Sequence, residues 1–198
     1  MAKPRVCVLG KEEVLHRFFF RWFKFRFEYE RFDGTRTEPI DQYVLDRGQS
    51  VGVVLHDLGN DEIVLVEQMR IAAIDSGNPW LLELPAGRVD DAEEPLAAAS
   101  RESQEETGVS PSDVRLICKF YASPGTCSEL LHLYYCPFPN GFDAGERGGL
   151  VDEHEDIRVH RVTVTEAAAM IESGSIVDAK SIIGVQWLVA QANRSTDG

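Results

Sequence analysis

Cysteine is scarce in this chain, and what there is stands apart. The four residues Cys7, Cys118, Cys127 and Cys136 form no CxxC pair and no cluster with histidine, so neither a zinc centre nor a disulfide framework is expected. Long hydrophobic runs are also missing, which leaves no candidate membrane span. The opening MAKPRVCVLG lacks both an extended apolar stretch and a small-residue cleavage signature, and a cytoplasmic protein is the expectation. Positive charge is in deficit. Against 33 acidic residues there are only 20 lysines and arginines, a formal net charge of −13, and no basic stretch occurs. Nucleic acid and anionic membranes would be repelled, so neither is an expected partner. An acidic protein that handles phosphates would need a cation. Internal repeats and low-complexity linkers are absent as well.

What is present suffices for a core: 198 residues, 43% of them hydrophobic, fit one domain or one domain with an appendage. The character of the sequence changes near residue 50. Before it, FKFRFEYERF sets Phe23, Phe25, Phe27 and Tyr29 on one face and Lys24, Arg26, Glu28 and Glu30 on the other, the period of a half-buried strand. Asp33-Gly34 reads as a turn, and YVLDRG as a further short strand ending near Gly48. Such a ribbon is marginal alone and needs a surface to pack on, either the main domain or a second subunit. Residues 1–48 are therefore set apart from 49–198.

The second part reads as mixed α/β. Strands are expected at Ser50–His56, Ile63–Gln68 and Leu81–Leu84, then a helix between Asp91 and Thr107 with Pro95 early and Gly108 as its stop. Strands resume in RLICKFYA, ELLHLYYC and IRVHRVTV, and two helices close the chain from about Thr165, the second covering KSIIGVQWLVAQA.

The chemistry is concentrated in LPAGRVDDAEEPLAAASRESQEETGV. On a helix, Arg101, Glu102, Glu105 and Glu106 fall within an arc of about 140°, with Glu102 and Glu106 one turn apart. Leu96, Ala99, Ser100 and Ser103 lie opposite and should face a sheet. A solvated acidic face is the ordinary meaning of such a pattern. Carboxylates at i and i+4, however, repel one another unless a divalent cation lies between them, and magnesium favours such hard oxygen donors.

These residues resemble the Nudix signature GX5EX7REUXEEXGU, in which U is a bulky aliphatic. It is matched by Gly87, Glu93, Arg101, Glu102, Glu105, Glu106, Gly108 and Val109, with Ser103 the one departure. Weaker packing is expected there, not lost catalysis. The likeness runs from the turn at Gly34 to the QWL of the last helix and is nearest the ADP-ribose pyrophosphatases and related nucleotide-sugar hydrolases, with Pro124 standing sixteen residues after Gly108 as in that subgroup. The resemblance implies an α/β/α sandwich with a mixed sheet, N-terminal strands exchanged across a homodimer, and hydrolysis of ADP-ribose to AMP and ribose 5-phosphate. GDP-mannose, ADP-glucose or UDP-glucose would be alternative substrates, and a catalytically silent nucleotide-sugar-binding module a third reading. By the same resemblance the metal ligands are Glu102, Glu106 and the carbonyl of Ala86, with Glu105 a further ligand or an outer partner. The metal would be Mg2+, with Mn2+ as the substitute. Arg101 and Glu93 would be structural.

For a general base the acidic loop VDEHEDIRV is the candidate segment. Glu153 matches the residue that orients or deprotonates water in relatives, and Glu155 a supporting one; His154 and His160 rank below them. Arg70 matches an arginine that contacts phosphates. Glu83, a carboxylate on an apolar strand, requires a paired cation or a metal, and the sequence does not identify which. Phe32 and Tyr43 are candidates for stacking on a base, although aromatics in such a ribbon more often serve a core.

Overall fold

The computed structural model describes residues 6–17, 20–138, 144–150 and 155–196. The chain divides into two compact units. One comprises the residues up to Gly48 together with Tyr121–Leu130, and the other Gln49–Phe120 with Leu131 onward.

The first unit is built on a three-stranded antiparallel sheet of β1 (Val6–Arg17), β2 (Phe20–Tyr29) and β3 (Ile40–Asp46) in that order. Alternation in β2 produces a strand as expected, but β1 was not anticipated, because VCVLGKEEVLHR has no clean period of two. Its pairing with β2 shifts register between Val8 and Gly10 and again between Glu13 and Leu15, and such bulges interrupt the alternation that sequence reading relies on. Phe23 is buried, with the Lys11 ammonium 3.9 Å from its ring centroid. Val6, Val8, Leu9, Tyr29 and Tyr43 remain exposed. Gly34, with a left-handed φ of 84°, closes the turn expected at Asp33-Gly34. The segment around Pro124 lies along β3, where Leu45 N–H donates to Thr126 O and Ser128 Oγ donates to Asp46.

The second unit is a mixed eight-stranded sheet between helices. Its order is β10 (Arg147–Gly148), β11 (Ile157–Thr163), β5 (Glu62–Met69), β4 (Gln49–Asp57), β9 (Leu130–Phe138), β8 (Arg115–Tyr121), while β6 (Trp80–Glu83) pairs with β5 and β7 (Ala86–Arg88) with β4. β4 is buried through almost its whole length because both of its faces are covered. Val51, Val53 and Leu55 pack with Ala98 and Ala99 of helix α1 (Pro95–Thr107). Val54 joins the opposite cluster, with Val164 and Ala167 of α2 (Val164–Glu172) and Val185 and Leu188 of α3 (Ala179–Thr196). The result is the expected α/β/α sandwich, built on a buried central strand, apolar over 51–55, with a helix layer on either side.

Two expectations shift. Helix α1 begins at Pro95, not near Asp91: proline suits the first helical position, and a turn bonded between Asp90 and Glu93 precedes it. Its buried stripe is Ala98, Ala99, Ser103, Glu106 and Thr107, whereas Leu96 is exposed. The sheet-facing side thus runs through an acidic residue and does not lie opposite the acidic arc.

Candidate active site

Three chain segments converge at the end of β5 and the C-terminal half of α1. β5 delivers Gln68 and is followed by Arg70; β6 ends in Glu83; the turn after it brings Ala86 and Gly87 against α1. Gly87 has a steric reason to be glycine, since a Cβ there would fall on the carboxylate of Glu102. Glu106, one turn on and only 2% exposed, accepts from the Ala86 N–H at 2.8 Å and from Gln68 Nε2 at 3.4 Å.

Arg101 organises the outer edge. Its Nε and Nη2 each donate to Glu93 at 3.0 Å, Nη2 also to the Arg88 carbonyl at 3.0 Å, and Nη1 to Glu102 at 2.8 Å and Glu105 at 3.0 Å. A planar guanidinium with five donors suits such a clamp, which ties the loop before α1 to the helix.

The carboxylates sit in an unfavourable field. Desolvation raises Glu102 to about 7 despite the opposing charge of Arg101, with Glu105 and Glu155 adding repulsion. Burial likewise raises Glu106 to about 8, opposed by the Ala86 N–H and reinforced by Glu102 and Glu155. Glu155 is therefore near enough for its charge to act on both. Its backbone N–H donates to Leu150 O, and its side chain accepts from Leu150 N–H. The preceding segment is anchored on α1: Gly149 N–H donates to Glu105 O, and a Cβ at Gly148 would fall on the carbonyl of Glu106.

Glu83 meets the opposite situation. Its burial would raise its pKa, but two hydrogen bonds from Arg70 (2.9 and 3.0 Å) and a 2.6 Å contact from Lys180 hold it down at about 2. The partner that the sequence does not identify is therefore a pair of cations, Arg70 after β5 and Lys180 of α3.

Of the residues singled out from sequence, Ala86, Glu102, Glu105 and Glu106 lie together, Glu155 stands within electrostatic reach, and Arg70 is joined to them through its charge interaction with Glu106. Glu153 and His154 lie outside the described residues. His160 is held by Glu67 at 3.0 Å. Among the described residues, no three His, Cys, Asp or Glu side chains converge as a preformed metal cage; Arg101 draws Glu102 and Glu105 to one side while Ala86 holds Glu106. The donor set still fits a hard divalent cation, because Arg101 bridges Glu102 and Glu105 but donates no described hydrogen bond to the more deeply buried Glu106, which Glu102 repels, and magnesium takes few protein ligands. Gln68 and Lys180 were missed. Gln68 follows Val64 and Val66 on one buried strand face, and Lys180 opens an apolar helix; in both places a polar residue at a buried position was the available signal.

The NUDIX domain family matches residues 46–182. This chain belongs to the Nudix family. Relatives of the Nudix chain include the ADP-ribose pyrophosphatase of Escherichia coli (strain K12), 38% identical over 188 residues that span 94% of this chain and 89% of that protein. The ADP-ribose pyrophosphatase of Haemophilus influenzae is 34% identical over 191 residues, 94% of this chain and 87% of the relative. A GDP-mannose pyrophosphatase of Cronobacter sakazakii is 32% identical over 182 residues, 91% and 93% respectively. Among solved structures, one described as an ADP compounds hydrolase superposes with a TM-score of 0.66 at 18% identity, covering 96% of the Nudix chain and 97% of the other, which bears on the fold alone.

Proposed function

We propose that this Nudix chain hydrolyses the diphosphate of ADP-ribose, giving AMP and ribose 5-phosphate, in a magnesium-dependent reaction. The observation that carries the proposal is that the Ala86-Gly87 turn meets two desolvated carboxylates, Glu106 on the Ala86 N–H and Glu102 against Gly87, with the charges of Glu105 and Glu155 acting on this pair. The ADP-ribose pyrophosphatases that it resembles over nearly the whole chain supply the substrate. The cation would be held by Glu102, Glu106 and the Ala86 carbonyl, with Glu105 beside them, and when bound it would neutralise the diphosphate oxygens. Manganese would serve the same donors.

The chain's own contributions follow from charge and position. Arg70 meets phosphate oxygens with a guanidinium already oriented by Glu83. Glu153 is proposed as the base that takes the proton of the attacking water, with Glu155 supporting it on the same loop. Arg101 and Glu93 hold the acidic helix to the loop before it. The net charge of −13 supports a small-molecule substrate in place of nucleic acid. A homodimer is supported by the exposed Val6, Val8, Leu9 and Leu15 of β1. No described helix is long and apolar enough to cross a membrane, and cytoplasmic residence is the proposed location.

The test is product analysis after incubation with ADP-ribose, with and without magnesium. AMP formed only with metal is expected. Turnover of GDP-mannose in its place would select the second reading, which the GDP-mannose pyrophosphatase relatives support. Silence on every nucleotide sugar would leave only a binding module.

A further inference from the structure

Arg70 poses a charge problem. A guanidinium locked to a carboxylate through two hydrogen bonds forms a neutral pair, and a neutral pair attracts a phosphate poorly. Glu83 takes the Nε and Nη2 edge of Arg70 in this way. The same carboxylate receives a second cation. Lys180, 7% exposed, brings Nζ to 2.6 Å from Glu83 Oε2, so Arg70, Glu83 and Lys180 together carry one net positive charge. Asp178, 3.1 Å from the same ammonium, would cancel that charge on a simple count. Its own charge is met elsewhere, because it stands immediately before α3 and accepts from the Ser181 N–H at 3.0 Å and the Ser181 hydroxyl at 2.6 Å. The amide dipoles at a helix start favour an anion at that place.

We infer that Lys180 is a positioning residue for substrate binding: by sharing Glu83 with Arg70, it leaves the arginine with charge to offer a phosphate and fixes the carboxylate that aims it. The inference rests on the reading of Arg70 as a phosphate contact. A purely architectural role for Lys180 is already filled by other groups. Ser181 Oγ accepts from the Leu84 N–H at 2.8 Å, and Gly184 lies so close to Leu84 and Val54 that an added Cβ would come within 2.7 Å of each. Helix α3 is thus docked on the exit of β6 without its lysine.

The experiment is steady-state kinetics with ADP-ribose, and with GDP-mannose in parallel, for the wild type, K180M, K180R, R70M, the K180M/R70M pair and D178N, with melting curves for each. K180M is expected to raise KM about tenfold with kcat changed less than about twofold. K180R should restore KM, since a guanidinium can reach the same oxygen. In the R70M background, K180M should add nothing, as expected of groups acting in one chain. D178N should leave KM at or below the wild-type value, because it removes negative charge while an asparagine still caps the helix. An unchanged KM in K180M, a loss that adds to that of R70M, or a D178N that behaves like K180M would overturn the role of Lys180 while leaving the hydrolase reading intact. A wild type that cleaves neither substrate would remove the reading beneath it as well.

Discussion

At Glu106 a nearly closed environment meets an acidic side chain, and the consequences can be measured before any substrate is added. A carboxyl whose folded pKa lies above its unfolded value keeps its proton longer in the folded chain. Stability is then fully present below the ordinary value of 4.5 and is lost as pH rises through about 7 for Glu102 and about 8 for Glu106. Glu83, held near 2, has the opposite sign: its contribution is present above 4.5 and disappears as pH falls toward 2. The metal-free protein should therefore melt highest near pH 5 and lose Tm by pH 8, and magnesium should raise Tm most at the alkaline end. A Tm that stays level from pH 5 to 8 would contradict the field described at these carboxylates. Glu106→Gln should remove its share of the alkaline loss and leave that of Glu102, because a neutral amide carries no desolvated charge, while turnover falls by about two orders of magnitude or more. Gly87→Ala should act through Glu102: the new methyl displaces that carboxylate, so the magnesium concentration for half-activity rises and kcat falls about tenfold or more with secondary structure intact. Circular dichroism beside a metal titration checks both parts.

Among the elements, helix α1 shows where sequence reading was informative and where it stopped. Its acidic spacing was legible because i and i+4 carboxylates are hard to explain otherwise. Its buried stripe was not, because a face containing Glu106 does not look apolar. Ser103, expected to pack weakly, is fully buried, and its hydroxyl is satisfied by the Ala99 carbonyl at 2.8 Å. Helix and sheet approach closely at this small residue. Ser103→Ala should cost under about 1 kcal/mol, whereas Ser103→Leu should cost about 1–3 kcal/mol by overpacking; urea denaturation distinguishes them. Strand β10, too short to leave a sequence signal, matters through Gly148. Ala at that position would collide with the Glu106 carbonyl and push away the segment leading toward Glu155, so Gly148→Ala should lower kcat more than it lowers Tm. The partners of Glu83 were illegible for a different reason: Lys180 lies 97 residues away and meets it only through the fold.

For the whole molecule, most strands of the second unit and its mixed α/β class could be read from β-branched and aromatic runs and from the strand, helix, strand, helices succession, whereas the three-layer order was implied only by the Nudix resemblance. Strands β1, β7 and β10 could not, being bulged or short. The proposed dimer makes a solution-scale prediction. Sedimentation should give twice the chain mass of 22.1 kDa, and lysines placed at Leu9 and Leu15 should shift the protein to single chains without abolishing the fold; an unshifted mass would place the contact elsewhere. The central pairing of the second unit carries a different consequence. β4 lies beside β9, and Leu58 N–H donates to the carbonyl of Phe138, 80 residues further along the chain. Closing so distant a contact comes late in folding, because the loop entropy must be met before the pairing returns anything. During synthesis, one flank of a strand with an apolar centre at residues 51–55 therefore waits, unpaired and sticky, until well over half of the polypeptide has left the ribosome. Slow refolding and losses to aggregation at high protein concentration are the expected signature, and early chaperone contact with Gln49–Asp57 would suit this chain more than any rescue of the finished enzyme.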